Sequence, residues 1–256
     1  GTVMIIEQSE QIIREVSKAF TGKDEIIRKV LMTIYAGGHI LLEDCPGVGK
    51  TTLALAFSKA LGLDYQRVQF TPDTLPSDIT GFSMLNRLTN QFEYREGAAA
   101  CNLLLADEIN RTSPKTQSAL LEAMEEHRVT VDGLTHRLPD PFICIATQNP
   151  IGTSGTQALP ESQMDRFMVR LSIGYPSDED QLKILRTRKY TNPLDNIQVV
   201  SGAENIVDIQ NYLSTMTMSD EVLYYLIHLC EATRQDAMVD LGVSPRGVLA
   251  LTQMAR

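Results

Sequence analysis

Residues 39–52 read His39-Ile40-Leu41-Leu42-Glu43-Asp44-Cys45-Pro46-Gly47-Val48-Gly49-Lys50-Thr51-Thr52, and this stretch decides the fold. The first four residues form a short apolar run of the kind that fills a buried strand. From residue 50 to residue 61 the chain reads as a helix, closed by Gly62. Between strand and helix, Gly47 and Gly49 let successive backbone N–H groups approach and converge on an anion. The helix start behind them adds unpaired N–H groups and the positive end of its dipole. Such a loop is a phosphate cradle, formed by Pro46, Gly47, Val48, Gly49, Lys50, Thr51 and Thr52. Lys50 would reach the β/γ-phosphates of a nucleotide and Thr51 would ligate Mg²⁺.

The full pattern G-x-x-x-x-G-K-[ST] asks for glycine at position 44, where this chain has Asp44. Gly47, Gly49, Lys50 and Thr51 still hold the positions nearest the β-phosphate. The bland alternative is a glycine-rich turn capping a surface helix; the flanking strand and helix argue against it. Cys45 sits beside a helix N-terminus, where a thiol pKa tends to fall. Its plainer reading is a space-filling residue.

Outward from this loop the chain alternates. Residues 7–20 and 24–36 show helical spacing of apolar residues, the second run ended by Gly37 and Gly38. Residues 65–70, 103–106 and 142–146 read as strands with helical segments between them, the clearest over 113–127. There Ser113 is an N-cap and Pro114 takes the first helical position. This alternation predicts a doubly wound α/β fold with a mostly parallel sheet. One small element interrupts it: Asp132-Gly133 between 129–131 and 134–138 predicts a hairpin. After Tyr175-Pro176 the strands stop, and helical segments follow near 178–190, 203–215, 219–235 and 244–255. The expected division is an α/β domain over 1–190 and a smaller all-helical domain over 191–256.

Two further strand ends carry chemistry. Leu103-Leu104-Leu105-Ala106-Asp107-Glu108 is an apolar strand ending in two carboxylates. Asp107 would hold Mg²⁺ and Glu108 would polarise an attacking water. Strands often end in acidic caps, so the signal gains force from its place in the same sheet as Lys50. Ala146-Thr147-Gln148-Asn149-Pro150 ends the next strand, where open α/β sheets bind ligands. Asn149 could orient the water or touch the γ-phosphate; Asn-Pro is also ordinary turn chemistry.

Bulk properties narrow the class. The chain has 256 residues, 43% of them apolar and 21% charged, as expected of a globular protein with a real core. Its formal net charge of −9 argues against a nucleic-acid module, whose affinity rests on Lys and Arg. Four widely spaced cysteines without a C-x-x-C pair suggest free thiols and a reducing cytoplasm. No apolar run approaches the roughly 20 residues that span a bilayer, and no secretory leader pattern opens the chain.

Longer motifs carry a resemblance. Phe70-Thr71-Pro72-Asp73, Leu75-Pro76-Ser77-Asp78-Ile79-Thr80-Gly81, Leu105-Ala106-Asp107-Glu108-Ile109-Asn110-Arg111, Ala146-Thr147-Gln148-Asn149-Pro150, Leu159-Pro160-Glu161 and Asp165-Arg166-Phe167 together resemble the MoxR family of AAA+ ATPases. The resemblance runs from about Thr21 to Arg256. It implies an AAA+ parallel sheet flanked by helices and followed by a helical lid, with ATP and Mg²⁺ as ligands. Lys50 and Thr51 are then similar to the Walker A pair, Asp107 and Glu108 to Walker B, and Asn149 to sensor 1. Arg166 is similar to the arginine finger of a neighbouring subunit, with Arg111 a second candidate for that contact. Arg246, in Ser244-Pro245-Arg246, is similar to sensor 2 on the lid. Read without the family, Arg166 suits a surface ion pair and Arg246 a solvated helix start.

The resemblance also implies that the hairpin at Asp132-Gly133 is a pre-sensor 1 insertion and that residues 82–95 are an insertion in the second helix. Gly97-Ala98-Ala99-Ala100 stands where the family often has Gly-Pro and a bulky residue, so packing there is expected to differ. The chain stops at Arg256 inside the sensor 2 helix, and a truncated lid is the expectation. Implied partners are copies of the same chain in a hexameric ring and a client protein, including those with a von Willebrand A-type domain. The rival readings are a nucleotide-gated scaffold with little turnover and a nucleic-acid motor of the same superfamily. Thr21-Gly22-Lys23-Asp24 faintly suggests guanine recognition, but it precedes the phosphate loop at the wrong spacing.

Overall fold

The computed structural model describes residues 2–43, 47–148, 159–174, 177–188 and 192–215. In chain order its elements are α1 (Thr2–Ser17), α2 (Asp24–Tyr35), β1 (Ile40–Glu43), α3 (Gly47–Ala60), β2 (Tyr65–Gln69) and α4 (Pro76–Thr80). Then come β3 (Gly81–Asn86), β4 (Gln91–Glu96), β5 (Leu103–Asp107), a 3-10 turn at Ile109–Arg111 and α5 (Pro114–Glu126). The rest comprises β6 (Arg128–Val131), β7 (Leu134–Arg137), β8 (Ile143–Thr147), α6 (Glu161–Met164), β9 (Val169–Ser172), α7 (Asp178–Arg188), a second 3-10 turn at Pro193–Asn196 and α8 (Ala203–Thr215).

Five parallel strands form one sheet in the order β2-β5-β8-β1-β9. Its central strands are apolar on both faces because both are covered. On β5, Leu103 and Leu105 enter a core shared with α1, α2, α3 and α8, while Leu104 and Ala106 enter a second core with α4 and α5. The same alternation divides Ile143 and Ile145 of β8 from Cys144 and Ala146. The chain leaves β1 for the far edge at β2, returns through β5 and β8, and crosses β1 to reach β9. This reversal of direction beside β1 opens a crevice at the strands' carboxyl ends, directly below the start of α3.

Local signals account for the helices. In α5, Ser113 accepts a hydrogen bond from Thr116 N, Pro114 fills the position that needs no N–H, and His127 closes the helix in the left-handed conformation. Ser9 on α1 shares a 2.7 Å hydrogen bond with the Tyr35 hydroxyl on α2, so the polar ends of this apolar contact are satisfied. Ile206, Ile209 and Leu213 of α8 lie in the core of α1–α3, and Gln210 Nε2 donates to Ile34 O at 2.8 Å. Residues 216–256, which hold the last two expected helices, lie outside the described residues.

Between β2 and β5 the expected helix shrinks to the five residues of α4, followed by the antiparallel β3–β4 hairpin. This is where residues 82–95 lie. On β4, Phe92 and Tyr94 alternate with Gln91, Glu93 and Arg95 at the strand period rather than the helical one, and on β3 Phe82 and Met84 flank Ser83 before Leu85 breaks the pattern. The hairpin at Asp132-Gly133 forms as expected, both turn residues having positive φ. The two hairpins meet where Tyr94 stacks on His136, ring centroids 3.6 Å apart. At Gly97 a side chain would collide with the backbone of Ile79 and Gly81, and Ala98 and Ala99 donate their N–H groups to Asp78 and Ile79. Small residues in Gly97-Ala98-Ala99-Ala100 therefore let the chain lie against α4. The edge strand β9 carries no continuous apolar run to announce it, because Arg170 and Ser172 alternate with the buried Val169 and Leu171.

His39 precedes β1 and is fully interior. Its Nε2–H donates to Met124 O at 2.8 Å, and its Nδ1 accepts from Cys144 N at 3.0 Å. Burial holds its pKa down at about 4, the Met124 bond opposing this and His127 adding to it. The folded ring therefore stays neutral where the unfolded ring would take a proton. Stability is complete above the ordinary histidine pKa near 6.5 and falls as pH drops toward about 4, by on the order of 3 kcal/mol. Urea denaturation across this window should show a shallower pH slope for His39→Gln than for the wild type; equal slopes would contradict the assignment.

Candidate functional site

The strand register gathers polar residues at one end of one face. Gln69 of β2 lies opposite Asp107 of β5, and Ala106 lies opposite Ala146, which puts Thr147 beside Asp107. Arg67, Gln69, Asp107 and Thr147 all fall on the alternate positions that face α3.

Asp107 is the centre. Its side chain is 1% exposed, and Oδ1 accepts hydrogen bonds from Lys50 Nζ at 2.5 Å and Thr147 Oγ1 at 2.6 Å. Oδ2 accepts from Arg67 Nη2 at 2.8 Å. Burial pushes this carboxyl toward protonation, but the bonds from Lys50, Thr147 and Arg67 outweigh it and hold the pKa below the ordinary aspartate value. A buried charge survives only when paired and hydrogen-bonded. Asp107 has both. Lys50 is itself largely buried on the first turn of α3, so it is held at the sheet rather than extended into water.

Glu108 follows with φ 57° and ψ 53°, a left-handed backbone that is costly for a residue with a side chain. A continued strand would send Glu108 to the face opposite Asp107; this turn keeps it in the same crevice. The Glu108 N–H donates to Thr147 Oγ1 at 2.9 Å, so one hydroxyl ties both acidic residues to β8. Glu108 Oε2 accepts from Gln69 Nε2 at 2.9 Å and from Arg111 Nη1 at 3.1 Å.

The expected site residues divide into those brought together and those elsewhere. Lys50, Asp107 and Glu108 converge, with Gly47, Val48, Gly49, Thr51 and Thr52 on the opening turns of α3. Arg111 lies on Glu108 of its own chain. Arg166 pairs with Glu125 of α5 at 3.0 Å. Pro46, Asn149 and Arg246 lie outside the described residues. Arg67, Gln69 and Thr147 were not singled out from the sequence. Thr147 ends a strand that is buried throughout, and Arg67 and Gln69 stand two apart on an edge strand with no buried residue, but only the register shows which strand ends adjoin.

The donor set suits a hard divalent cation: one carboxylate from Asp107 and a hydroxyl from Thr51 match the few protein oxygens Mg²⁺ takes beside phosphate and water. Among the described residues no group of three or more His, Cys, Asp or Glu could hold a metal by itself. A metal here would thus depend on oxygens brought by a phosphate ligand. A helix start, whose first N–H groups have no acceptor within the helix itself, supplies the place for that ligand.

A parallel sheet in this order, a glycine-rich helix start above the crevice and a buried Lys–Asp pair define a P-loop fold of the AAA+ class. Residues 39–169 match the model of the "ATPase family associated with various cellular activities (AAA)". YeaC of Bacillus subtilis strain 168, described as an uncharacterized protein, is 47% identical over 244 residues, spanning 95% of this chain and 76% of YeaC. "Chaperone MoxR1" of Mycobacterium tuberculosis is 35% identical over 265 residues, spanning 100% of this chain and 70% of the relative. A crystal structure of "a putative ATPase" from Cytophaga hutchinsonii superposes with a TM-score of 0.79 at 37% identity, covering 98% of this chain and 79% of that one. The chain belongs to the MoxR family of AAA+ ATPases. No helix among its described residues is long and apolar enough to cross a membrane.

Thr147→Val deletes the hydroxyl shared by Asp107 and Glu108 while keeping side-chain volume. It should lower unfolding free energy by about 1–3 kcal/mol, because two buried polar groups lose a partner, whereas Thr147→Ser should lose about 1 kcal/mol or less. Urea titrations of the three proteins decide this.

Proposed function

We propose that this chain binds ATP with Mg²⁺ at the start of α3 and hydrolyses it, and that it uses the cycle to remodel partner proteins in a chaperone-like way. The observation that carries the reading is the buried Lys50–Asp107 pair, fixed by Thr147 at the N-terminus of a glycine-initiated helix. A lysine held on a buried carboxylate is a cation that a triphosphate can recruit. Likeness to the relative named chaperone MoxR1 supports the client role.

In this mechanism Lys50 leaves Asp107 for the β- and γ-phosphate oxygens, and the backbone N–H groups from Gly47 to Thr51 close around them. Thr51 and Asp107 would hold Mg²⁺. When bound, the metal would offset negative charge on the phosphate oxygens. Glu108, released from Gln69 and Arg111, orients a water and takes its proton as the water oxygen bonds to the γ-phosphorus. The bond to the bridging oxygen breaks and ADP leaves with that electron pair. Asn149 would hold the same water or the γ-phosphate.

Charge spread over the γ-phosphoryl oxygens calls for an arginine, which contributes on the order of 10³–10⁵ in rate. Arg166 is the residue proposed to supply it to a neighbouring subunit of a hexameric ring, after exchanging Glu125 for the phosphate. Arg111, engaged on Glu108 of its own chain, fits a role within the subunit better. Arg246 would act from a helical lid over 191–256, completing the α/β domain over 1–190. The proposed setting is the cytoplasm, with a client that includes proteins with a von Willebrand A-type domain.

Glu108→Gln should keep nucleotide affinity within severalfold while hydrolysis falls at least about 100-fold; a near wild-type rate would remove Glu108 from its role. Lys50→Ala should lose micromolar binding. Added single- or double-stranded DNA should leave the wild-type rate unchanged, and stimulation would favour a nucleic-acid motor. Arg166→Ala should bind ATP without turnover, and mixing it with Glu108→Gln should restore part of the activity if the arginine acts between subunits. No recovery at any ratio contradicts that arrangement.

A further inference from the structure

Asp107 carries one more cation than the nucleotide cycle uses. Lys50 and Thr147 both sit on Oδ1, whereas Oδ2 is taken by Arg67, a residue of the edge strand β2. The Arg67 side chain is 45% exposed, so it reaches inward from the sheet edge with its stem partly in water. Its other contact on the site is Gln69 Oε1 at 3.3 Å, and Gln69 in turn holds Glu108. Removing Lys50 to the phosphates therefore does not leave Asp107 bare. Arg67 remains as a fixed positive charge against the carboxylate.

We infer that Arg67 sets the magnesium requirement of nucleotide binding, by competing with the divalent cation for the charge of Asp107. This rests on the ATP and Mg²⁺ reading above. The physical basis is Coulombic. A guanidinium 2.8 Å from Oδ2 offsets the negative charge that would draw Mg²⁺ toward Asp107 and Thr51, and it repels that ion across a short, partly buried distance. The same cation favours the bare polyanion, because without metal it shields ATP from Asp107. Arg67 thus narrows the difference between metal-bound and metal-free nucleotide. A guanidinium never loses its charge at ordinary pH, so the offset is permanent and adjustable only by movement of the side chain.

The test is binding, not turnover. Kd for a fluorescent adenine nucleotide is measured in excess Mg²⁺ and in EDTA for wild type, Arg67→Gln, Arg67→Ala and Arg67→Lys. In the neutral variants the ratio of the EDTA value to the Mg²⁺ value should widen about tenfold over wild type, and the Mg²⁺ concentration for half-saturation should fall. Arg67→Lys, which keeps the charge, should stay within about twofold of the wild-type ratio. A merely structural arginine would weaken binding equally in both conditions and leave the ratio unchanged; that result, or a narrowed ratio, overturns the inference. Two neutral variants guard against one failing to fold. A wild type that binds no nucleotide in either condition would instead sink the ATP reading itself.

Discussion

An ionised carboxylate buried at the centre of a sheet is the constraint on which the rest of this structure depends. Asp107 is tolerable there because Lys50, Thr147 and Arg67 each donate to it, from three different elements. Those elements must stay in register for the charge to stay satisfied, so the polar site and the apolar core enforce the same geometry. Breaking one partnership while leaving the charge is the costly change. These bonds fix the place of the Asp107 carboxylate at the strand ends, which is what positioning chemistry requires.

The sheet makes this possible by burying both faces. Leucines and isoleucines of β5 and β8 alternate between two cores, so on these two strands the polar side chains on the α3 face, Asp107 and Thr147, come at the last positions. The reversal of strand order then leaves those ends open beneath α3. Glu108 exploits the same place through a left-handed backbone, the kind of local strain that persists when its surroundings over-determine it. Fold and site are in this sense one arrangement: the strand ends supply the carboxylates and the helix start supplies the donors.

Much of this was legible in the residues. The buried run ending at Asp107-Glu108, the glycines before Lys50 and the Ser113-Pro114 helix start each carry a local signal, and each element stands within a few residues of its expected place. What escaped was whatever depends on pairing. Thr147 looks like any strand-end threonine until β8 is set beside β5. Arg67 and Gln69 look like the polar face of an edge strand until Gln69 is found opposite Asp107. The β3–β4 hairpin escaped for a different reason: its large apolar residues Phe82, Met84 and Phe92 are exposed, so burial does not reinforce their alternation. Arg166 shows the limit from the other side, since its pairing with Glu125 is ordinary for a surface arginine, and the inter-subunit role proposed for it rests on family likeness alone.

The central claim is that the Lys50–Asp107 pair marks a place kept for a magnesium-bound triphosphate. Isothermal calorimetry of the folded wild-type chain with magnesium-ATP tests it most directly. Saturable heat with one site per chain and a dissociation constant in the micromolar range or tighter is the result the account predicts. Folded protein that yields no heat of binding across the same range would contradict it.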